Sequence, residues 1–292
     1  MVGPAPQLAP GLLGRTGVLE LLGTHGLRPS RALGQNFVAD ANTVRRVVRL
    51  AELGPGQSVV EIGAGLGSLT LALAETGAQV TAIEIDRRLV AVLRSVVDGT
   101  GARVVHGDAL DLDWAELLAD HHEWALVANL PYNVATPLVV RLLEEVPSIT
   151  RMTVMVQREV GERLAAGVGH GAYGAVSAKV AYWARATVVG RVPSTVFVPR
   201  PKVESVLVSV VRRLHPAVDP SSIGYDAIRM LIGAGFAHRR KMLRGSLAGL
   251  VDPEVFAAAG VRPEARAEEL DVSAWGRLAA CRQAATSGPR PS

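Results

Sequence analysis

The segment LVANLPYNVATP, residues 126–137, ends an apolar run in Asn129-Leu130-Pro131-Tyr132, and these residue types suit the binding of an amino group. Pro131 fixes its own φ and biases Leu130 toward extended backbone, so the Leu130 carbonyl and the Asn129 side chain can project toward one point. Two acceptors at one point suit a nitrogen that carries two hydrogens. Because these bonds need only strengthen as the nitrogen attacks an electrophile, no strong base is required.

Tyr132 would complete this site with a flat face for a base, an interaction worth ~1–3 kcal/mol per base. An adenine bound there must be unstacked or flipped out of its helix. The alternative is that these four residues form a turn with a core tyrosine.

A glycine loop precedes this segment. VVEIGAGLGSLTLAL places Glu61, Gly63 and Gly65 between a predicted strand and a predicted helix, where glycine permits positive φ and close approach of a ligand. The spacing differs from the G-x-G-x-x-G that seats a dinucleotide pyrophosphate, and Glu61 would repel a phosphate. An ordinary tight turn is the alternative.

Two further acids follow the next strands. Glu84 ends VTAIEID, where an open α/β sheet places a carboxylate for ribose hydroxyls, and Asp108 follows ARVVHG, where it could accept from an adenine amino group. Asp108 could instead be a helix N-cap. Glu84 alone suits NAD and S-adenosylmethionine equally, but three acids around one pocket favour the cationic S-adenosylmethionine.

Short β-rich runs alternate with helical patterns from about residue 41 to residue 213, which predicts a parallel sheet covered by helices on both faces. We expect a flexible arm over residues 1–40, an α/β domain over 41–213 and a small all-helical domain over 214–292.

Composition narrows the functional classes. The single cysteine, Cys281, cannot form an intramolecular disulfide, and no apolar run reaches the ~18 residues of a membrane span, so we expect a cytoplasmic protein without a membrane partner. No histidine or cysteine pair has metal-site spacing, so we expect no metal. Residues 211–292 carry 12 basic and 8 acidic side chains, hence the whole net charge of +4, which favours a polyanionic partner.

Several runs together resemble the KsgA/Dim family of small-subunit rRNA adenine dimethyltransferases. They are LGQNFVAD, EIGAGLGSLTLAL, VTAIEID, GDAL, VANLPYNVATP, VMVQREVGERL, FVPRPKVESVLV and FAHRRKMLR, in the family's order from residue 33 to about 244. The resemblance implies a Rossmann-like methyltransferase domain with a mostly parallel seven-stranded sheet and a C-terminal helical RNA-binding domain. It also implies S-adenosylmethionine as cofactor and dimethylation of two adjacent adenines near the 3′ end of 16S rRNA.

The resemblance adds residues that the pattern alone does not indicate. It implies that the Gln-Asn-Phe segment of the arm closes over the cofactor, with contacts from Asn36 and Val38. It also implies stacking of Phe197 on the target base opposite Tyr132; a phenylalanine plugging a domain junction is the alternative for Phe197. One departure is Ala64, where the family commonly has proline. We expect a monomer.

The basic run Ala237–Arg244 predicts a phosphate-contacting helix face, with a solvated face as the alternative. Its members are Arg239, Arg240, Lys241 and Arg244.

Rival functions remain open. An Erm-type enzyme would methylate a large-subunit adenine and confer antibiotic resistance, and a ribosome-assembly factor would act mainly by binding. DNA adenine and protein glutamine methyltransferases would show Pro-Pro-Tyr or Pro-Pro-Phe after Asp or Asn, and NAD-dependent oxidoreduction is the least favoured.

Overall fold

The computed structural model describes residues 11–131, 134–238 and 240–287. The chain divides into two compact units: one runs up to Gly161 and includes Val188–Val210, and the other comprises Glu162–Thr187 and Val211–Ser292.

Two central strands of the first unit are largely apolar and buried, as expected where helices cover both faces of a sheet. All five residues of the second strand are buried, as are five of the six in the fifth. The strands are β1 (Phe37–Val38), β2 (Ser58–Ile62), β3 (Gln79–Glu84), β4 (Arg103–His106), β5 (Trp124–Asn129), β6 (Ile149–Gln157), β7 (Ala184–Val192), β8 (Phe197–Val198) and β9 (Ser205–Arg212).

Twelve α-helices lie in the described part of the chain, and several of them begin directly after a capping aspartate. They are α1 (Arg15–Thr24), α2 (Ala41–Ala51), α3 (Ser68–Ala74), α4 (Arg87–Val96), α5 (Trp114–Leu117), α6 (Ala135–Glu145), α7 (Arg158–Ala165), α8 (Ala175–Trp183), α9 (Tyr225–Ala237), α10 (Leu243–Ser246), α11 (Pro253–Ala258) and α12 (Val272–Ser287). The side chains of Asp40, Asp86 and Asp113 accept backbone N–H groups at the starts of α2, α4 and α5.

Within the described residues, seven strands form one sheet in the order β4-β3-β2-β5-β6-β9-β7. The pairs β2–β3, β3–β4, β2–β5 and β5–β6 are parallel. From β2 the chain first moves outward through β3 and β4, then returns to place β5 on the other side of β2. This reversal opens a crevice at the carboxyl ends of β2 and β5, where ligands bind in open α/β sheets. The predicted fold class is confirmed.

The predicted flexible arm needs correction in its described part. Helix α1 lies within it, and Val18, Leu21 and Leu22 are buried in an apolar cluster with Phe37. β1 pairs antiparallel with β8. Apolar burial and backbone pairing therefore order this segment, although it is rich in glycine and proline.

The predicted boundary at residue 214 also differs from the structure. Glu162–Thr187 belongs to the second unit, although the sequence pattern placed it in the α/β domain. The reason is packing, because Tyr173, Ala178 and Tyr182 are buried in the same apolar cluster as Trp275.

Close packing of α9 against α12 in the second unit yields a stability prediction. A methyl group at Gly235 would clash with Cη2 of Trp275, whereas one at Gly233 would meet nothing within 4 Å. We expect Gly235→Ala to lower the free energy of unfolding by ~1–3 kcal/mol through overpacking. The matched control Gly233→Ala should leave it unchanged or raise it by up to ~1 kcal/mol, because alanine favours helix. Urea denaturation followed by circular dichroism measures both, and equal effects would contradict the packing.

Candidate active site

A pocket at the carboxyl ends of β2, β3 and β5 gathers most of the predicted site residues. Its walls are the QNF segment of the arm, the glycine loop after β2, the end of β3 and the start of the NLPY segment. The predicted residues that line it are Asn36, Val38, Glu61, Gly63, Gly65, Glu84, Asn129, Leu130 and Pro131. Segments far apart in the sequence thus meet at the strand-order reversal.

The glycine loop needs glycine for conformation and for space. Gly63 and Gly65 have φ values of 73° and 59°, in the left-handed region. A methyl group at Gly65 would be crowded at 3.1 Å from the Phe37 ring, whereas one at Gly63 would make ordinary contact at 3.7 Å from the Asn129 carbonyl oxygen. The loop is therefore both a tight turn and a wall of the pocket.

Glu84, at the end of β3, is hydrogen-bonded to the glycine loop. Its Oε2 accepts from the Gly65 N–H at 2.7 Å and its Oε1 accepts from the Asp86 N–H at 2.8 Å. Burial raises the pKa of this carboxyl, and the two backbone hydrogen bonds oppose the rise. Each carboxylate oxygen has a further lone pair, so Glu84 can also accept from ligand hydroxyls.

Glu61 lies beneath the loop and is buried. Its Oε2 accepts a 2.6 Å hydrogen bond from Thr70 Oγ1. Burial raises the pKa of Glu61 to about 8, against a smaller lowering by Thr70. A neutral carboxyl in this position becomes a carboxylate readily when a cation arrives, because opposite charge favours the ionised form.

Asp108 lines an adjoining pocket that shares Leu33, Gly63, Ile85 and Pro131 with the first. Its Oδ1 also accepts from the Leu110 N–H at 2.9 Å. Asp108 therefore makes the kind of local backbone bond that the N-cap alternative anticipates, and it also reaches the crevice.

Asn129 ends β5 with its side chain tied to the arm. Its Nδ2 donates to the Asn36 carbonyl oxygen at 2.9 Å, and this bond orients the side-chain oxygen at the other end of the amide. The Leu130 N–H donates to the Met155 carbonyl at 3.0 Å and its side chain is buried. Tyr132 lies outside the described residues, so its predicted stacking role stays a prediction.

Phe197 does not lie where the resemblance placed it. Its side chain is 0% exposed, in the core cluster that includes Val44, Leu73 and Leu207, and it is not among the residues that line the pocket. β8 pairs Phe197 with Val38, which turns the ring into the core. Phe197 therefore packs in the core of the first unit, so neither stacking on the base nor a place at a domain junction describes its side chain in this structure.

The basic run is not one helix face. α9 ends at Ala237 and α10 begins at Leu243, so Arg240 and Lys241 lie between the two helices, and of the described basic residues only Arg244 is helical. The side chains of these three residues are exposed, and Arg244 lies 3.8 Å from Glu264. A turn forms there because the Lys241 N–H donates to the His238 carbonyl. Arg239 lies outside the described residues.

Sequence reasoning missed three residues that shape the pocket. Thr70 bonds Glu61, Phe37 packs on Gly65, and Asp86 bonds the arm residue Gln35 at 3.0 Å. For Asp86 a signal was available, because an aspartate directly before a helical run is a typical N-cap.

In the described part of the chain, no helix is long and apolar enough to cross a membrane and no three His, Cys, Asp or Glu side chains cluster as metal ligands.

The raised pKa of Glu61 predicts how stability depends on pH. Folding raises this pKa from 4.5 to about 8, so between these values the folded state holds a proton that the unfolded state has lost. The contribution of Glu61 to stability therefore falls as pH rises across this window, with a limiting slope of ~1.4 kcal/mol per pH unit. Glu61→Gln removes the titration, so the free energy of unfolding of the variant should rise relative to wild type from pH 5 to pH 8. Urea denaturation at both values tests this, with the exposed Glu75→Gln as control; parallel profiles for Glu61→Gln and wild type would contradict it.

Comparisons with known proteins cover nearly the whole chain. The model of the family described as ribosomal RNA adenine dimethylase matches residues 27–283. A protein named ribosomal RNA small subunit methyltransferase A, from Cutibacterium acnes, is 46% identical over 281 residues, which cover 92% of this chain and 93% of that protein. Its namesake from Streptomyces coelicolor is 45% identical over 290 residues, covering 96% and 99%.

Among solved structures, the 23S rRNA methyltransferase ErmE is 26% identical with a TM-score of 0.67, covering 85% of this chain and 99% of its own. Since the family model and the relatives extend across both compact units, this chain belongs to the ribosomal RNA adenine dimethylase family.

Proposed function

We propose that this protein transfers methyl groups from S-adenosylmethionine to N6 of two adjacent adenines in the 3′-terminal hairpin of 16S rRNA. The observation that carries the proposal is the placement of Asn129. It ends β5 beside the glycine loop, and its amide nitrogen is held by the arm, so that its oxygen serves as a fixed acceptor. A fixed acceptor at the cofactor pocket is what an amino-group substrate requires.

The cofactor pocket fits a cationic nucleoside. Gly63 and Gly65 bring backbone to the wall of the crevice, and Glu84 offers acceptor lone pairs at the end of β3. Glu61 is a buried carboxyl that gains a counter-charge when a cation binds. S-adenosylmethionine, when bound, supplies an electrophilic methyl group on a sulfonium sulfur. Asn36, Val38, Glu61, Gly63, Gly65, Glu84, Asp108 and Asn129 would hold it.

Asn129 and Leu130 would present the adenine. The Asn129 side-chain oxygen and the Leu130 carbonyl accept the two N6 hydrogens, and these bonds strengthen as the nitrogen lone pair localises during attack. The bound cofactor would supply its methyl group to N6 and leave as a neutral thioether, and N6 would release one proton to solvent. Pro131 keeps the two acceptors convergent. Tyr132 would stack on the base.

We assign the small subunit as the substrate because the relatives named for it are more similar in sequence to this chain than the relative named for 23S rRNA. The two proteins named for the small subunit are 45% and 46% identical to this chain, against 26% for ErmE, which is named for 23S rRNA. We infer that the protein acts as a monomer in the cytoplasm, on a pre-assembled small-subunit particle. Exposed Arg240, Lys241 and Arg244 would contact RNA phosphates.

Methyl transfer to purified ribosomal subunits that lack the modification tests the reaction and the substrate together. We expect dimethyladenosine in small subunits only, and a loss of at least ~100-fold in rate for Asn129→Ala because a fixed transition-state acceptor is removed. Asn42→Ala, at an exposed asparagine of α2, is the control and should retain the rate.

The same assay separates the rival functions. Labelling of large-subunit RNA would assign an Erm-type activity. Particle binding without transfer would favour an assembly factor that acts by binding.

The basic turn predicts a salt-dependent affinity. Each of Arg240→Ala, Lys241→Ala and Arg244→Ala should weaken binding to small subunits and reduce the slope of log affinity against log salt by roughly 0.7–0.9, because one phosphate contact is lost. Arg229→Ala is the control, since this arginine lies on α9 and outside the basic run. Titrations at several salt concentrations measure the slopes, and slopes equal to wild type for all three variants would assign the turn to a solvated surface.

A further inference from the structure

Gln35, in the arm, makes hydrogen bonds that the proposed chemistry does not use. Its Nε2 donates to Asp86 Oδ2 at 3.0 Å, and its Oε1 accepts from the Ser30 N–H at 2.7 Å. The Gln35 N–H donates in turn to the Ser30 carbonyl at 3.0 Å. This side chain therefore ties the turn of the arm over residues 31–34 to the first residue before α4.

Asp86 connects this contact to the cofactor pocket. Its N–H donates to Glu84 Oε1 at 2.8 Å, and Glu84 Oε2 accepts from the glycine loop. The Asp86 carboxylate also caps α4 through the Arg88 N–H, and hydrogen bonds, chiefly from the Arg88 side chain, lower its pKa to about 2. Asp86 is thus a charged, buried acceptor whose bond to Gln35 is stronger than one between neutral groups.

The neighbouring arm residue connects to the other half of the site. The Asn36 carbonyl accepts from Asn129 Nδ2 at 2.9 Å. Two consecutive residues of the arm therefore bond to opposite sides of the pocket, Gln35 toward the end of β3 and Asn36 toward the end of β5.

We propose that the Gln35–Asp86 hydrogen bond is a latch that holds the arm over the pocket. Closure of the arm by this latch positions both Glu84 for the cofactor and Asn129 for the substrate amino group. Gln35 and Asp86 are positioning residues, and neither is assigned a contact with the reacting atoms. The inference rests on the proposed function only for the identity of the ligands.

A polarity swap tests the latch in the full-length protein. Asp86→Asn keeps an oxygen for the α4 cap but turns an N–H₂ group toward the Gln35 N–H₂ group. Gln35→Glu alone sets a second carboxylate against Asp86. The double variant Gln35→Glu/Asp86→Asn restores one donor and one acceptor, with the same total charge as wild type. All three variants are nearly isosteric with wild type.

Two measurements follow the arm and the pocket separately. Hydrogen exchange of the ligand-free protein reports opening of residues 30–38, with α2 as an internal reference, and calorimetry reports the Kd of S-adenosylmethionine. We expect each single variant to accelerate exchange in the arm and to raise the Kd by about tenfold, as for loss of a charge-assisted hydrogen bond. The double variant should return both values to within about twofold of wild type.

Arg88→Ala is the matched control, because it removes the other side-chain partner of Asp86 and leaves Gln35 in place. It should keep exchange and Kd near wild type. The latch is overturned if the double variant is no better than the single variants, or if Arg88→Ala reproduces their effects. The exchange measurement needs no ligand and no RNA. It can therefore contradict the latch while methylation of the small subunit is observed, and it can support the latch while no methylation is observed.

Discussion

The buried carboxylate of Glu84 is the point on which the rest of the site depends. One oxygen accepts from the glycine loop after β2 and the other accepts from Asp86, the residue just before α4. Two loops at the carboxyl edge of the sheet are thereby fixed to the end of β3. Removing a carboxylate from water is costly, and the two backbone bonds offset part of that cost. The pocket retains its form because this group is both buried and bonded.

A second buried acid, Glu61, lies in the same part of the site. Glu61 lies beneath the glycine loop with Thr70 as a hydrogen-bond partner, and its pKa is raised to about 8 by burial. Two carboxyls close together in a buried site work against stability, since each makes ionisation of the other less favourable. A cationic ligand relieves this opposition. The local cost is therefore consistent with a site shaped for binding, where a protein gives up stability for function.

The arm is held in place by apolar packing of α1 and by hydrogen bonds of the segment that follows α1. Val18, Leu21 and Leu22 of α1 bury an apolar face with Phe37, and the Arg15 guanidinium donates to the Thr195 carbonyl at 2.9 Å. Beyond this anchor, the backbone of β1 pairs with β8, and the QNF residues reach the pocket. An anchored helix followed by a short bonded segment can close over a ligand without carrying the helix with it.

The amino-acid pattern predicted much of this protein. Apolar strands in alternation with helices indicated the parallel sheet. Because the carboxyl ends of parallel strands share one edge of a sheet, the residues at those ends were expected to lie close together; they are Gly63, Glu84, Asp108 and Asn129. Local rules of this kind depend on residues close together in the sequence. Asn36 and Val38 came from the family resemblance instead, since no local pattern marks them.

Only the tertiary structure decided the contacts between distant segments. The burial of Phe197 follows from the pairing of β8 with β1, the membership of Glu162–Thr187 in the second unit follows from packing around Trp275, and the Gln35–Asp86 bond joins residues 51 positions apart. The basic run was predicted to form one helix face, but α9 ends at its first residue and α10 begins only at Leu243. Local sequence fixes backbone preference and the positions of strand ends, whereas which side chains meet depends on the packing of the complete chain.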